Sequence, residues 1–399
     1  MIKLILTNKY FPMTAALFIS FLGHGMGGMI ISQNRGALES QWTDPAFFGL
    51  VMSMVGWGRL TTFFIAGKLS DVLGRKFFVV LGSLVYVAGL VGMAFATTLM
   101  WASIFAFMFG AANSFLDVGI YPALIEAFPE EAKKVNTALV IFLRIAQLIL
   151  PMIMLGIFSA TGLGVNFRLS FFMVAAIFAL NLILVLMVKF PDHKRSNDKQ
   201  KVARSHEVGW RALFTIEGIA FIVYGFISMA TFMIIQQFSN RFGEAVLGMN
   251  PDLANFIPTF FAVGSIIGVV VSIAAQSKFK AVDVMVVLTT LSLIATLLVR
   301  FSPSVATLVI GTTLIGFAAA GGVMQMGLTL MTEMVPIGNG VVSGIFLSMG
   351  SLASVYVPRI VTAIEGANHL NVMLFNAGLA AVGLICAIII NVRFRMKGN

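Results

Sequence analysis

The sequence predicts an all-α membrane protein: twelve transmembrane helices in two pseudo-symmetric bundles of six. Three observations carry that expectation. Of the 399 residues, 59% are apolar and only 11% charged, against roughly 25% charged in ordinary soluble domains. The apolar residues gather into twelve runs of about 20 residues, the length needed to cross a bilayer core. One long polar segment, "KFPDHKRSNDKQKVARSHEVGWR" (189–211), divides those runs six and six.

The spans fall near 10–32, 47–69, 77–96, 99–123, 137–158 and 167–188 in the first half. In the second they fall near 213–238, 253–276, 282–299, 304–330, 340–358 and 370–391. This organises the chain as an N-terminal bundle (1–188), a linker (189–212) and a C-terminal bundle (213–399). Span one follows the basic residues Lys3 and Lys9 and has full spanning length. It reads as a retained helix, because a cleaved signal peptide has a shorter apolar core and a cleavage site. Pro122, Pro151, Pro258 and Pro358 fall within or at the edges of spans, where proline is expected to kink a helix. Gly23 and Gly27 in span one, four residues apart, favour close helix packing.

The net charge of +10 is explained by its distribution. With the N-terminus inside, all the lysines fall in the loops on one face of the membrane. The positively charged residues that do not are all arginines: Arg35, Arg59, Arg144, Arg168, Arg241, Arg300 and Arg359. The positive-inside rule then puts both termini of this multi-pass protein in the cytoplasm. The basic balance gives no case for nucleic acid. The single cysteine, Cys386, lies in an apolar run and supports no disulfide framework.

The halves resemble each other. "AANSFLDVG" (111–119) matches "AAGGVMQMG" (319–327), and "EAFP" (126–129) matches "EMVP" (333–336). Likewise "IFLRIAQ" (141–147) matches "IFLSMGS" (345–351), and "MIISQNR" (29–35) matches "MIIQQFSNR" (233–241). Both halves run in the same sense, so the repeat is parallel, as in some transporter folds. On these matches Arg144 corresponds to Ser348 and Asp117 to Gln325.

"GKLSDVLGRK" (67–76) follows span two. It resembles the signature loop of the major facilitator superfamily, with Gly67, Asp71, Gly74, Arg75 and Lys76 in the family's places. The resemblance implies that this family's two-bundle fold covers the whole chain. It also implies alternating access, and a gate in which these residues and Glu126, at the end of span four, lock one state. Carboxylate–guanidinium pairs at helix ends can hold two helices together and release them. Val72 stands where the family has an arginine, and "QSKFKAVD" (276–283) lacks the pattern in the second half. The arginine early in span four, on which proton-antiport members rely, is absent. The wording of "YFPMTAALFISFLGHGMG" and "GAANSFLDVGIYP" is similar to that of bacterial inner-membrane carriers of poorly assigned substrate.

The ionisable residues well inside spans are His24, Arg59, Asp117 and Arg144, in spans one, two, four and five. Each costs a few kcal/mol in lipid without a partner or water. At 1.5 Å per residue all four lie about 20 Å from the inner loops, in one layer. In the family the helices that carry them line the central cavity, while three, six, nine and twelve face lipid; those four spans hold none of the interior charges. Asp117 then faces a wet cavity where Arg144 or Arg59 neutralises it. Two readings stand: a fixed salt bridge joining helices four and five, or a proton site. His24 is either a proton-linked group or a neutral imidazole bonded to backbone.

Two arginines against one aspartate favour an anion, and a guanidinium suits a carboxylate. Arg144 and Arg59, with Asn113 and Gln147 beside them, are the expected substrate-binding residues of the first half. Tyr224, Gln236, Gln237, Gln325, Ser348 and Ser351 would read hydroxyl groups in the second, although such residues often only bond a neighbouring helix. Asp117 and His24 are the expected proton carriers. No HExxH, CxxC, Walker loop or GxSxG occurs, so neither an enzyme nor a metal or cofactor is expected. The expectation is a monomeric secondary transporter, a proton-coupled symporter of a small polar organic acid, hydroxylated or hydroaromatic. The alternatives are a sugar or polyol symporter, a drug exporter and a membrane sensor.

Overall fold

The structure, a computed structural model, describes residues 8–42, 47–160, 167–191, 210–335 and 339–396; a few side chains within these helices, Asp71's among them, lie outside the described set. Twelve described helices are long and apolar enough to cross a membrane. They are α1 (Phe11–Gln33), α2 (Phe47–Leu73), α3 (Arg75–Phe95), α4 (Leu99–Ala127), α5 (Ala132–Ala160) and α6 (Phe167–Met187). The second set is α7 (Ile216–Leu247), α8 (Ile257–Gln276), α9 (Ala281–Phe301), α10 (Val305–Met334), α11 (Asn339–Ala367) and α12 (Leu370–Met396). No described residue is in a strand. A helix satisfies its own backbone hydrogen bonds, which makes it the natural spanning element in lipid.

Several helix ends follow from local sequence. Thr98 accepts a bond from the Trp101 amide at the start of α4, and Ser304 forms a capping box with Thr307 at the start of α10. Thr215 caps α7, which ends on Gly248 at φ +63°, the left-handed cap that glycine supplies at little cost. Gly74, at φ +91°, makes the one-residue break between α2 and α3. Some helices overrun their apolar spans. α7 continues past 238 to Leu247, where Arg241 pairs with Glu244 three residues on at 3.0 Å. Hydropathy ends at the charges, whereas helical hydrogen bonding does not. One expectation about proline is corrected. Pro258 is the second residue of α8, where its missing N–H would be unsatisfied in any case; it follows a break after the short helix Pro251–Ala254. Pro122, Pro151 and Pro358 do lie inside their helices.

The chain divides into two compact units, Met1–Arg195 and Ser196–Asn399. Within the first, α4 packs on α2 and α3, α3 on α6, and α1 on α5 and α6. The second repeats the pattern: α10 on α8 and α9, α9 on α12, and α7 on α11 and α12. Apolar side chains such as Phe221, Met285, Leu330 and Phe346 fill its interior.

Glycines fix one crossing in each unit. A Cβ on Gly58 would lie 2.1 Å from the Phe107 carbonyl, and one on Gly110 2.0 Å from that of Val55. The same contacts recur 206 residues on, with Gly264 against Thr313 at 2.0 Å and Gly316 against Phe261 at 2.2 Å. Only glycine lets the two backbones come this close. The register is then interrupted. α4 has 29 residues and α10 has 30, so their first residues are 206 apart and their last 207. The additional residue is absorbed in a π-helical segment, Gly316–Val323; a π-turn is how a helix accommodates an insertion without breaking. Downstream of it the counterpart of Asp117 is Met324, which corrects the pairing with Gln325 drawn from the repeat. α5 and α11 also align 207 apart, Pro151 with Pro358, so Arg144 pairs with Ser351, and Ser348 is not its counterpart.

Candidate functional site

The first unit holds the four ionisable residues expected inside the spans, His24, Arg59, Asp117 and Arg144. Asn113, Asp117 and Tyr121 stand four residues apart on α4, a spacing that stacks them on one helix face. The glycine crossing brings α2 against that helix: Gly110 lies against the Arg59 backbone, and Ser114 Oγ donates to the Arg59 carbonyl at 3.0 Å. One helical turn beyond Asn113, Asp117 Oδ2 accepts from Arg59 Nη2 at 3.1 Å. The bridge therefore joins α2 and α4, which corrects the reading of a bridge between helices four and five. The Arg59 side chain keeps 32% of its surface open and that of Asp117 11%. The attraction is stronger than in bulk water, and neither group is sealed off.

A second chain of contacts starts on the same face. Tyr86 of α3 is fully buried, and its hydroxyl makes a short bond to Asn113 Oδ1 and lies 3.4 Å from His24 Nδ1. A phenol has one proton. With that proton on Asn113, the His24 contact requires Nδ1–H as donor, which leaves Nε2 with the lone pair. Tyr86 stacks on Phe178 of α6 at 4.5 Å and 11°. Its ring sits against Gly27, where a Cβ would come within 2.7 Å. The His24 ring stacks on Phe21 at 5.2 Å, and Phe21 meets the Tyr121 ring edge-on at 5.4 Å. Tyr121 lies within electrostatic reach of Asp117, Arg59 and Arg144. On α5, Arg144 donates from Nη1 to Gln147 Oε1 at 2.8 Å. Arg59, Asp117, His24, Asn113, Arg144 and Gln147 thus belong to one region of the first unit, with Tyr86 and Tyr121 linking them.

At the end of the same unit, Arg75 Nε lies 3.2 Å from Glu126 Oε1, and Arg75 Nη1 donates to Ser70 Oγ at 2.8 Å. Lys76 Nζ donates to the carbonyls of Leu186 and Val188 at 2.7 and 2.9 Å, at the end of α6. Gly67 lies in α2, and Gly74 makes the break described above; the Asp71 side chain is outside the described residues.

The expected hydroxyl readers of the second unit are not drawn into one network. Tyr224 is 1% exposed and bonds Thr289 Oγ1 at 2.8 Å, inside the unit. Ser348 and Ser351 donate to carbonyls of their own helix, Gly344 and Leu347, at 2.6 and 3.1 Å. Gln236 is buried on α7, the neighbouring Gln237 holds a buried Oε1 without a described partner, and Gln325 is exposed on α10. Among the described residues no three His, Cys, Asp or Glu come close enough together to hold a metal ion.

Tyr86 and Tyr121 escaped the sequence reading. Tyr121 was recoverable, since it continues the four-residue step from Asn113 and Asp117. Tyr86 carried no such signal, because a tyrosine in an apolar span is ordinary interfacial or core material.

The family model described as Major Facilitator Superfamily matches residues 13–358. The inner membrane transport protein YdiM of Escherichia coli (strain K12) is 34% identical over 394 residues, covering 98% of this chain and 96% of that one. The uncharacterized MFS-type transporter YfkL of Bacillus subtilis (strain 168) is 28% identical, covering 96% of each. Among solved structures, that of a D-xylose-proton symporter is similar with a TM-score of 0.78 at 15% identity, covering 95% of this chain and 97% of that one; at that identity the likeness speaks for the fold.

Proposed function

The chain belongs to the major facilitator superfamily and is a multi-pass inner-membrane transporter rather than an enzyme, and from that premise we propose that it is a proton-coupled symporter of a small polar organic acid, working by alternating access with both termini cytoplasmic. The observation that carries this reading is the cluster of the first unit. Arg59 and Asp117 are paired within membrane-spanning helices, and His24, Asn113, Arg144 and Gln147 share their region.

In this reading Arg144 supplies a guanidinium fork to the substrate carboxylate. Asp117 alternates between its bridge to Arg59 and a protonated state in which the bridge is released. Protonation removes the charge on Asp117 and frees Arg59 for the anion, so proton and anion bind together. That coupling is a reciprocal free energy: each ligand raises the other's affinity by the same factor. His24, with Nε2 available as acceptor, is the second proton carrier. Arg75 and Glu126, with Gly67, Asp71, Gly74 and Lys76, form the gate. In the second unit Tyr224, Gln236, Gln237, Gln325, Ser348 and Ser351 remain the proposed readers of substrate hydroxyls.

The Arg59–Asp117 bridge also supports a second reading, a proton-coupled sugar or polyol symporter in which Asp117 occupies that guanidinium and the cargo is neutral. Uptake into proteoliposomes separates the two. Labelled hydroxy acids and sugars are offered with and without an inward proton gradient. Saturable, gradient-driven uptake of the acids supports the first reading; uptake of sugars alone removes it. Binding without flux would remove both in favour of a sensor.

A further inference from the structure

The second unit holds a small cavity whose lining is half hydroxyl-bearing (Tyr224, Ser228, Thr231, Thr289 and Ser292) and half apolar (Ile227, Leu288, Ala319, Val323 and Ala380). Its position has a counterpart in the first unit. α3 and α9 each have 21 residues and align 206 apart, so Ser292 is the counterpart of Tyr86. α4 and α10 align 206 apart up to the π segment and 207 apart beyond it, so Ala319, within that segment, falls within one residue of the counterpart of Asn113. The "MII" repeat of α1 and α7 is offset by 204, which sets Ser228 against His24 and Thr231 against Gly27. α6 and α12 begin 203 apart, bringing Ala380 to within one residue of Phe178. Where the first unit packs a tyrosine, a histidine, an asparagine and a phenylalanine, the second has serines and alanines.

The hydrogen-bond inventory of the cavity is lopsided. Ser228 donates to the Gly225 carbonyl at 3.2 Å and Thr231 to that of Ile227 at 3.0 Å. Thr289 donates to the Met285 carbonyl at 2.8 Å, so the Tyr224 hydroxyl must be the donor in its bond to Thr289. Four oxygens thus have their protons committed elsewhere and keep lone pairs. Ser292 differs: it is 4% exposed, and its Oγ has no hydrogen-bond partner among the described residues. The cavity therefore offers one free donor, several acceptors and no charge. A water molecule needs two to four polar partners in a space of its own size, and it can both accept from Ser292 and donate to Tyr224 or Thr289.

We propose that the hydroxyl-lined cavity between α7, α9, α10 and α12 is a binding site for a single ordered water. Ser292 is its donor and the Tyr224–Thr289 pair its acceptor. The water lies beside Ser292, the counterpart of Tyr86, and against the π segment of α10, where Ala319 and Val323 belong to both.

The experiment is Ser292→Ala in the full-length protein. A buried hydroxyl without a partner destabilises, so in a dry cavity the substitution raises the melting temperature. In a hydrated site it removes a hydrogen bond to the water, and the melting temperature falls by about 2 °C. A rise or no change overturns the proposal. A second, independent measurement is a high-resolution structure of the unsubstituted protein. Density within hydrogen-bond distance of both Ser292 Oγ and Tyr224 Oη supports the site, and a featureless cavity overturns it.

Discussion

Arg144 and Asp117 carry opposite roles in the proposed cycle, and single substitutions separate them. Arg144→Gln keeps a hydrogen-bonding end on a shorter side chain but loses the charge and the fork. A hydrogen bond to a charged group contributes about 1.5–3 kcal/mol, so anion affinity should fall at least about tenfold, with a normal yield of folded protein in detergent. Absent or aggregated protein would show instead that Arg144 holds helices together. Asp117→Asn fixes that side chain in an uncharged form and leaves Arg59 without its bridge at 3.1 Å. Accumulation driven by a proton gradient should disappear, while exchange of labelled for unlabelled substrate persists; gradient-driven accumulation by the variant would exclude Asp117 as the proton carrier. The four interior ionisable residues were legible in the sequence because charge in lipid is expensive and calls for a partner or water there. Which arginine Asp117 bonds was not legible, because the choice is made by the approach of α2 to α4 and both arginines lie at similar depth. Tyr86 was invisible for the opposite reason: its role comes entirely from its neighbours His24, Asn113 and Phe178.

At the scale of the helix, the crossing glycines make the sharpest claim. A methyl on Gly110 would sit 2.0 Å from the Val55 carbonyl oxygen, which is rigid backbone, and one on Gly264 2.0 Å from that of Thr313. Gly110→Ala and Gly264→Ala should each cost roughly 1–3 kcal/mol, as overpacking does. Gly28→Ala, inside α1 where nothing lies within 4 Å, should be neutral or stabilise by up to about 1 kcal/mol. Thermal unfolding of the three variants in one detergent is the comparison, and a Gly110→Ala variant as stable as Gly28→Ala would show that the crossing is loose. Helix number and most helix starts were legible because hydropathy announces them. The ends of α7 and α11 were not, since a helix can run on beyond its apolar stretch. The π segment was hidden as well. One inserted residue alters no composition, and its trace, repeat matches at unequal offsets, acquires meaning only against the glycine contacts.

For the whole molecule, the arrangement of lysines makes a prediction about orientation. With Cys386 replaced by Ala, a Lys199→Cys variant should react with a membrane-impermeant maleimide only after the cytoplasmic face is opened. Labelling in intact cells would invert the proposed topology. The two-unit organisation was legible from the polar segment at 189–211 and the parallel repeat, because duplicated helices keep their turn residues and crossing points. What the repeat concealed is how the units differ at matched positions inside: Tyr86 and Phe178 in the first, Ser292 and Ala380 in the second. The extra residue of α10 gives that divergence a backbone component. An α-helical turn takes about 3.6 residues, and the wider turn within Gly316–Val323 takes up the additional one, so beyond Val323 each residue of α10 faces as its counterpart 207 positions earlier does. An α4 sequence grafted in place of α10 would need one residue added at that turn to bring its second half back into register.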